Sequence, residues 1–167
     1  MKRILLIAIV GSLFMGRASA QKLAAGIDPL WLAMGVVNAG AELTVGRCST
    51  LGLSVTAFHH PWVNDEGQGV GLHPELRYYL SGRSMYHLFV GVSGLTGTYS
   101  LHFNDKHYVG SAAGLGLTFG YVLPINRRFN IDFHSGFGVI HTQDRERGHD
   151  NLTLPTKVGV TITYILQ

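Results

Sequence analysis

Apolar and small or polar residues alternate one for one over long stretches of this 167-residue chain. Near the end, Val158, Val160, Ile162, Tyr164 and Leu166 share one parity, and Lys157, Gly159, Thr161 and Thr163 the other. A period of two over that length is a β-strand with one apolar side. The pattern recurs upstream. Leu51, Leu53, Val55 and Ala57 alternate with Gly52, Ser54 and Thr56; Val70, Leu72, Leu76, Tyr78 and Leu80 alternate with Gly71, His73, Glu75, Arg77 and Tyr79. Leu115 to Leu123 and Phe129 to Val139 repeat it against Gly-rich partners. Eight strands are predicted, at about 23–34, 36–46, 51–60, 70–81, 85–99, 108–123, 128–141 and 156–166.

Charge decides which face looks inward. Glu42, Glu75, Arg77, Asp132 and Lys157 all fall on the small, polar parity. A soluble barrel or sandwich would turn the large apolar residues in and those charges out. The polar parity is mostly Gly and hydroxyl residues, too poor in charge for a solvated surface. Trp62, Tyr78, Tyr79, Tyr86, Tyr99, Tyr108, Tyr121, Phe129 and Tyr164 gather near strand ends, as aromatic girdles would. Links alternate in length too. Residues 47–50, 81–84 and 124–127 make short turns, whereas 61–69, 100–107 and 142–155 make longer loops; the link near Gly35 is short. The expected fold is all-β: one eight-stranded antiparallel up-and-down transmembrane β-barrel, with charges inside and apolar stripes outward. Short turns would be periplasmic and long loops external.

The first residues add the compartment. Lys2 and Arg3 precede an apolar run from Ile4 to Met15, and Ala18-Ser19-Ala20 is a small-x-small cleavage site. Residues 1–20 are therefore expected to be a signal peptide and residues 21–167 the barrel domain. The alternative, an N-terminal anchor, asks twelve apolar residues to do what takes about twenty. Thirteen Lys and Arg stand against ten Asp and Glu; Lys2, Arg3 and Arg17 fall within the leader, leaving ten of each. No excess of positive charge then points to nucleic acid. Cys48 is the one cysteine, so no internal disulfide forms.

Several segments carry a family likeness: His60-Pro61-Trp62, His73-Pro74-Glu75-Leu76-Arg77-Tyr78-Tyr79-Leu80, Gly120-Tyr121, Arg128-Phe129-Asn130-Ile131 and Pro155-Thr156-Lys157-Val158-Gly159. In these the chain resembles an uncharacterised outer-membrane barrel family of the Bacteroidetes, domain of unknown function 3575. The resemblance covers nearly all of the chain after the leader. It implies a small barrel with a signal peptide and, for some members, an accessory role at surface fimbriae. Two features depart from the expected pattern: Asp28-Pro29 interrupts the first strand, and the chain ends in Gln167 rather than an aromatic. Lys157-x-Gly159-x-x-Ile162-x-Tyr164 still resembles the signal that barrel-assembly machinery reads on a last strand.

Three kinds of chemistry are conceivable. Glu42, Glu75, Arg77, Asp132 and Lys157 could form an ion-pair network filling the barrel, since buried charges need partners; a proton path or gated pore is the alternative. His59, His60, His102, His107, His141 and His149, with Asp65, Glu66, Asp105, Asp144, Glu146 and Asp150, lie in or beside predicted external loops. They could bind a ligand, or zinc or copper if the loops converged, but no spacing is a metal motif. Neither a metal nor a cofactor is expected. Finally, His134-Ser135 with Glu146 suggests a lipid A-modifying enzyme, yet neighbours on a strand point to opposite faces. The expectation is a non-enzymatic outer-membrane barrel, envelope-structural or surface-binding through its loops, with a lipid A-modifying acyl hydrolase or acyltransferase, or a narrow channel, as alternatives. Its expected partners are outer-membrane lipid, the assembly machinery and a surface or fimbrial protein.

Overall fold

The computed structural model describes residues 22–61, 67–103, 106–144 and 148–166; the expected leader, residues 1–20, lies outside them. Eight strands run antiparallel in chain order and close into a barrel: β1 (Leu23–Ile27), β2 (Val36–Thr44), β3 (Ser49–His59), β4 (Gln68–Tyr79), β5 (His87–Phe103), β6 (Lys106–Pro124), β7 (Phe129–Asp144) and β8 (Gly148–Leu166). One short helix, α1 (Pro29–Ala33), joins β1 to β2. Closure is the pairing of β1 with β8, from Leu23 opposite Leu166 to Ile27 opposite Ile162.

The first strand differs from its predicted extent of 23–34, ending at Ile27. Asp28 caps α1, its Oδ1 accepting from the Leu30 amide at 3.0 Å and the Trp31 amide at 3.2 Å. Pro29 fills the first helical turn, where its missing N–H is no loss. What reads in sequence as a broken strand is a helix start. Gly35, at φ 80°, then turns the chain into β2.

Two predicted loops are also largely strand. The β5–β6 ladder continues to Phe103 opposite Lys106, and the β7–β8 ladder to Asp144 opposite Gly148. Apolar alternation stops well before these points, but pairing does not. Once two strands are zipped together, polar residues extend the ladder as readily as apolar ones wherever the outer face meets water. Strand β8 runs straight through Pro155, where a bulge at Gly136/Phe137 leaves Thr156 as an extra residue.

Across the lower part of the barrel, at the short-turn end, large apolar residues face out: Leu115 is 71% exposed and Leu117 68%, with Leu51, Leu76, Val90, Phe133, Val158 and Ile162 around the same belt. Glu75, Arg77, Thr118 and Asp132 are buried inside. Three predicted girdle residues are corrected. Tyr79 is 1% exposed, inside the barrel. Tyr99 lies against Gly110, and Tyr108, paired with Leu101, takes the same inward parity. Inward glycines make room for such rings. Phe89 covers Gly120, so a Cβ there would lie 2.6 Å from Phe89 Cζ. Phe58 covers Gly69 in the same way.

The turn end is closed by an apolar floor of Ala24, Met85 and Ile165, with Tyr79, Phe89 and Val122 beside it. Met85 reaches in from the β4–β5 turn at φ 60°. Asn130 Nδ2 holds its carbonyl at 3.1 Å, and the Ser84 amide donates to Arg47 O at 2.9 Å.

Towards the other end the polarity inverts. Outward positions pass from Gly94 to Thr96, Thr98 and Ser100 on β5, from Ala113 to Ser111 on β6, from Val139 to His141 and Gln143 on β7, and from Pro155 to Thr153 on β8. The inward parity there carries Leu95, Leu101, Ala112, Ile140 and Leu154. Strands β5–β8 form a tall wall above the much shorter β1–β4.

Candidate functional site

The best-built polar arrangement is inside the barrel, on inward positions of β2, β4, β6, β7 and β8. Arg77 stands at its centre, 5% exposed. Its Nη1 donates to Asp132 Oδ2 at 2.6 Å and to Glu42 Oε2 at 3.2 Å, and its Nη2 to Glu75 Oε2 at 3.0 Å. Lys157 Nζ reaches the same Glu75 oxygen at 2.7 Å. Lys157 keeps the inward parity of Gly159, Thr161 and Thr163, and the bulge shifts the parity of β8 only before it, from Pro155 back. Hydroxyls complete the carboxylate shells. Thr118 Oγ1 donates to Glu75 Oε1 at 2.7 Å, and Thr50 Oγ1 and Tyr79 Oη both donate to Glu42 Oε1, at 2.5 and 2.6 Å. The Phe89 ring lies 4.3 Å under the Arg77 guanidinium.

All five residues expected in the lumen therefore meet there. A guanidinium suits this centre because its fixed fork can serve three carboxylates, which a point-like ammonium cannot. Two cations face three carboxylates, with every carboxylate held by at least one cation. Beside the cluster is a cavity of about 50 Å³, lined among others by Gly40, Gly52, Ser54 and His73. That is room for one or two waters.

Sequence reading left Asp28 out of this interior, and put His134 on the inward parity of its strand without a role in the cluster. Asp28 is 1% exposed, and its second oxygen lies against Gly159, where the imidazole of His134 also approaches. His134 Nδ1 lies 3.6 Å from Asp132 Oδ1, and neither atom has a hydrogen-bond partner among the described residues. The Asp-Pro dipeptide was the available signal for Asp28, as a helix cap. Nothing in the sequence brings residue 28 beside residue 134. His134 is buried inside, while Ser135 takes the outward parity between Phe133 and Phe137. The pair is not brought together.

The loop-end candidates are spread over several strands. Residues Asp65, Glu66, Asp105 and Glu146 lie outside the described residues, as do the side chains of His107, Asp144, His149 and Asp150. His59 ends β3, and its ring meets that of His60 edge-on at 4.2 Å between centroids. His102 lies within β5 and not in a loop, a correction that follows from the longer hairpin, and His141 lies within β7, in the strand expected for it. Among the described residues, no three His, Cys, Asp or Glu side chains converge as metal ligands would. Cys48 is a free thiol in the β2–β3 turn.

A concave region of about 960 Å³ opens at the loop end. It is lined by His59, Gln68, Thr98, Ser100, Ser111 and Gln143, with Val70 and Val109 between them. Hydroxyls and amides alternate there with the apolar surface of Phe58, Val70 and Val109, with no carboxylate or ammonium in the lining.

No curated protein and no solved structure matches the chain. A family model does, over residues 3–166. The chain belongs to the family of proteins of unknown function DUF3575.

Proposed function

We propose that this chain is an integral barrel of the bacterial outer membrane, exported by residues 1–20, that acts without catalysis. Its role is structural in the envelope or binding of a surface partner at the loop end. One observation carries the membrane reading: a belt of exposed Leu, Val, Ile and Phe surrounds an interior in which Arg77 and three carboxylates are sealed. Water on the outside would make that belt an unusually large apolar patch, whereas hydrocarbon is its natural solvent. The short-turn end would then face the periplasm and the tall β5–β8 wall the exterior. The family resemblance adds a partner class, a protein of surface fimbriae.

Two further observations support a non-catalytic, non-conducting barrel. Ser135 and His134 lie on opposite faces of β7, so no nucleophile–base pair forms there. The floor of Ala24, Met85, Ile165, Tyr79 and Phe89 lies across the path that an ion would take below the Arg77 cluster.

The deciding experiment is fractionation of expressing cells, with the membrane fraction run on a gel unheated and heated. The expected result is an outer-membrane protein whose unheated band migrates anomalously. Recovery as a soluble protein with a single, heat-independent band would overturn the reading.

A further inference from the structure

Where β1 ends, β8 keeps going. Their pairing stops at Ile27 opposite Ile162, and β8 runs fourteen residues further, back to Gly148. Above the stop the seam is patched by α1, which packs on β2 and β8. Trp31 Nε1 donates to Val158 O at 2.6 Å, so this β8 carbonyl points sideways, out of the β7–β8 ladder. Beyond Val158, among the described residues, β8 has a strand neighbour on its β7 side only.

In a strand of L-residues, side chains that share a face also turn their N–H and C=O to the same flank. Pro155 and Thr153, opposite the outward Phe137 and Val139, therefore present their backbone groups to the same open flank as Val158. Asn151 and His149, opposite His141 and Gln143, hold the same register positions. Pro155 fits this assignment: it lacks an N–H and costs the β7–β8 ladder nothing. From His149 to Pro155 the flank thus offers four carbonyls and three amides over roughly 20 Å. The opposite side of the wall offers less, because β4 pairs with β5 as far as Ser100 and only three residues of β5 extend past it.

We propose that this flank of β8, from His149 to Pro155, is a docking edge that takes an extended polypeptide segment as an added strand. The proposal rests on the reading of the loop end as a surface for a protein partner, and names the partner's chemistry. The edge selects an extended chain, because only a strand matches donors and acceptors at every second residue. The wall's two faces select its side chains. The inner parity is Leu95, Ile140 and Leu154 and the outer parity Thr98, Ser111, Gln143 and Thr153, so the segment alternates apolar and polar residues. Below the edge, Pro155 withholds a donor and Trp31 occupies the next seam-facing carbonyl, which sets the lower limit of the docked strand.

The test uses the full barrel in detergent micelles and a fluorescent peptide, Lys-(Val-Thr)₃-Val-Lys, in three forms: unmodified, N-methylated at each Thr, and N-methylated at each Val. Only one parity of amides in an added strand faces β8. One methylated form is therefore expected to bind like the parent and the other at least about tenfold more weakly. Thr153→Pro removes an edge amide as Pro155 already does, without touching the β7 ladder. It is expected to keep the heat-shifted gel band and to weaken the parent peptide by a similar factor. Failure of the parent peptide to bind, equal binding by all three forms, or indifference to Thr153→Pro in a barrel that keeps its heat shift would each overturn the docking edge. Peptide bound with that indifference overturns the edge alone and leaves a partner-binding loop end standing.

Discussion

The lower and upper parts of this barrel are built on opposite rules. Below, the outside is Leu, Val, Ile and Phe and the inside is a satisfied ionic cluster around Arg77. Above, on β5–β8, the outside is mostly Thr, Ser, His and Gln, with Val109 and Pro155 among them, and the inside carries Leu95, Ile140 and Leu154 beside Tyr99 and Thr142. The same four strands cross both regions, their pairing interrupted only by the bulge at Thr156. Backbone hydrogen bonding is thus indifferent to which face is apolar, and the solvent outside sets the polarity. Hydrocarbon below and water above is the arrangement we propose to explain the switch.

The largest effect is expected where the lower region depends on one residue. Arg77→Met leaves Glu42, Glu75 and Asp132 without their shared cation, and loss of a buried partner costs about 3–5 kcal/mol. Refolding into lipid vesicles should fail or lose most of its heat-shifted band. Near-normal stability in urea titration would mean that the cluster is not what holds the lower interior.

Next comes a paired substitution that probes the switch itself. Leu117→Arg puts a cation in the middle of the outward belt, and in a bilayer should cost about 2–4 kcal/mol. Gln143→Arg, outward on the upper part of β7, should change stability by no more than about 0.5 kcal/mol. Equal tolerance of both, measured by guanidinium unfolding in vesicles, would erase the distinction between the regions.

A smaller effect is expected of Gly120→Ala, which drives a methyl against both the Phe133 carbonyl oxygen and the Phe89 ring inside the lower barrel. Overpacking of that kind costs about 1–3 kcal/mol. The double variant Gly120→Ala, Phe89→Leu should recover part of the loss. If Phe89→Leu recovers nothing, the ring is not what crowds that methyl and the Phe133 carbonyl alone does.

Much of the fold was legible because a one-for-one alternation has a single structural meaning. Strands β3, β4, β6 and β7 were found where Leu, Val and Phe alternate with Gly and Ser, with their ends misplaced by a few residues. Errors collected where apolar alternation is not the signal. At Asp28-Pro29, helix capping chemistry replaced strand chemistry. At 100–107 and 142–155, pairing with a neighbour carried strands through polar sequence that gives no local instruction. Tyr79 and Tyr99 look like girdle residues by composition, yet their parity points them at inward space left by small residues on neighbouring strands.

The interior cluster divides the same way. Its members were legible because Glu42, Glu75, Arg77, Asp132 and Lys157 fall on the polar parity of their strands. Which carboxylates the Arg77 fork would serve, and that Asp28 and His134 would lie beside them, was not.

By itself the sequence determined the strand number, the closed meander, the face of each central strand and the sign of what lies inside, because period, turn residues and charge placement act locally. Only the tertiary structure decided how far each strand extends, where the bulge at Thr156 shifts the parity of β8 before Lys157, and which flank of β8 is left without a neighbour. Those depend on register between strands, and register is a property of pairs that no single segment carries.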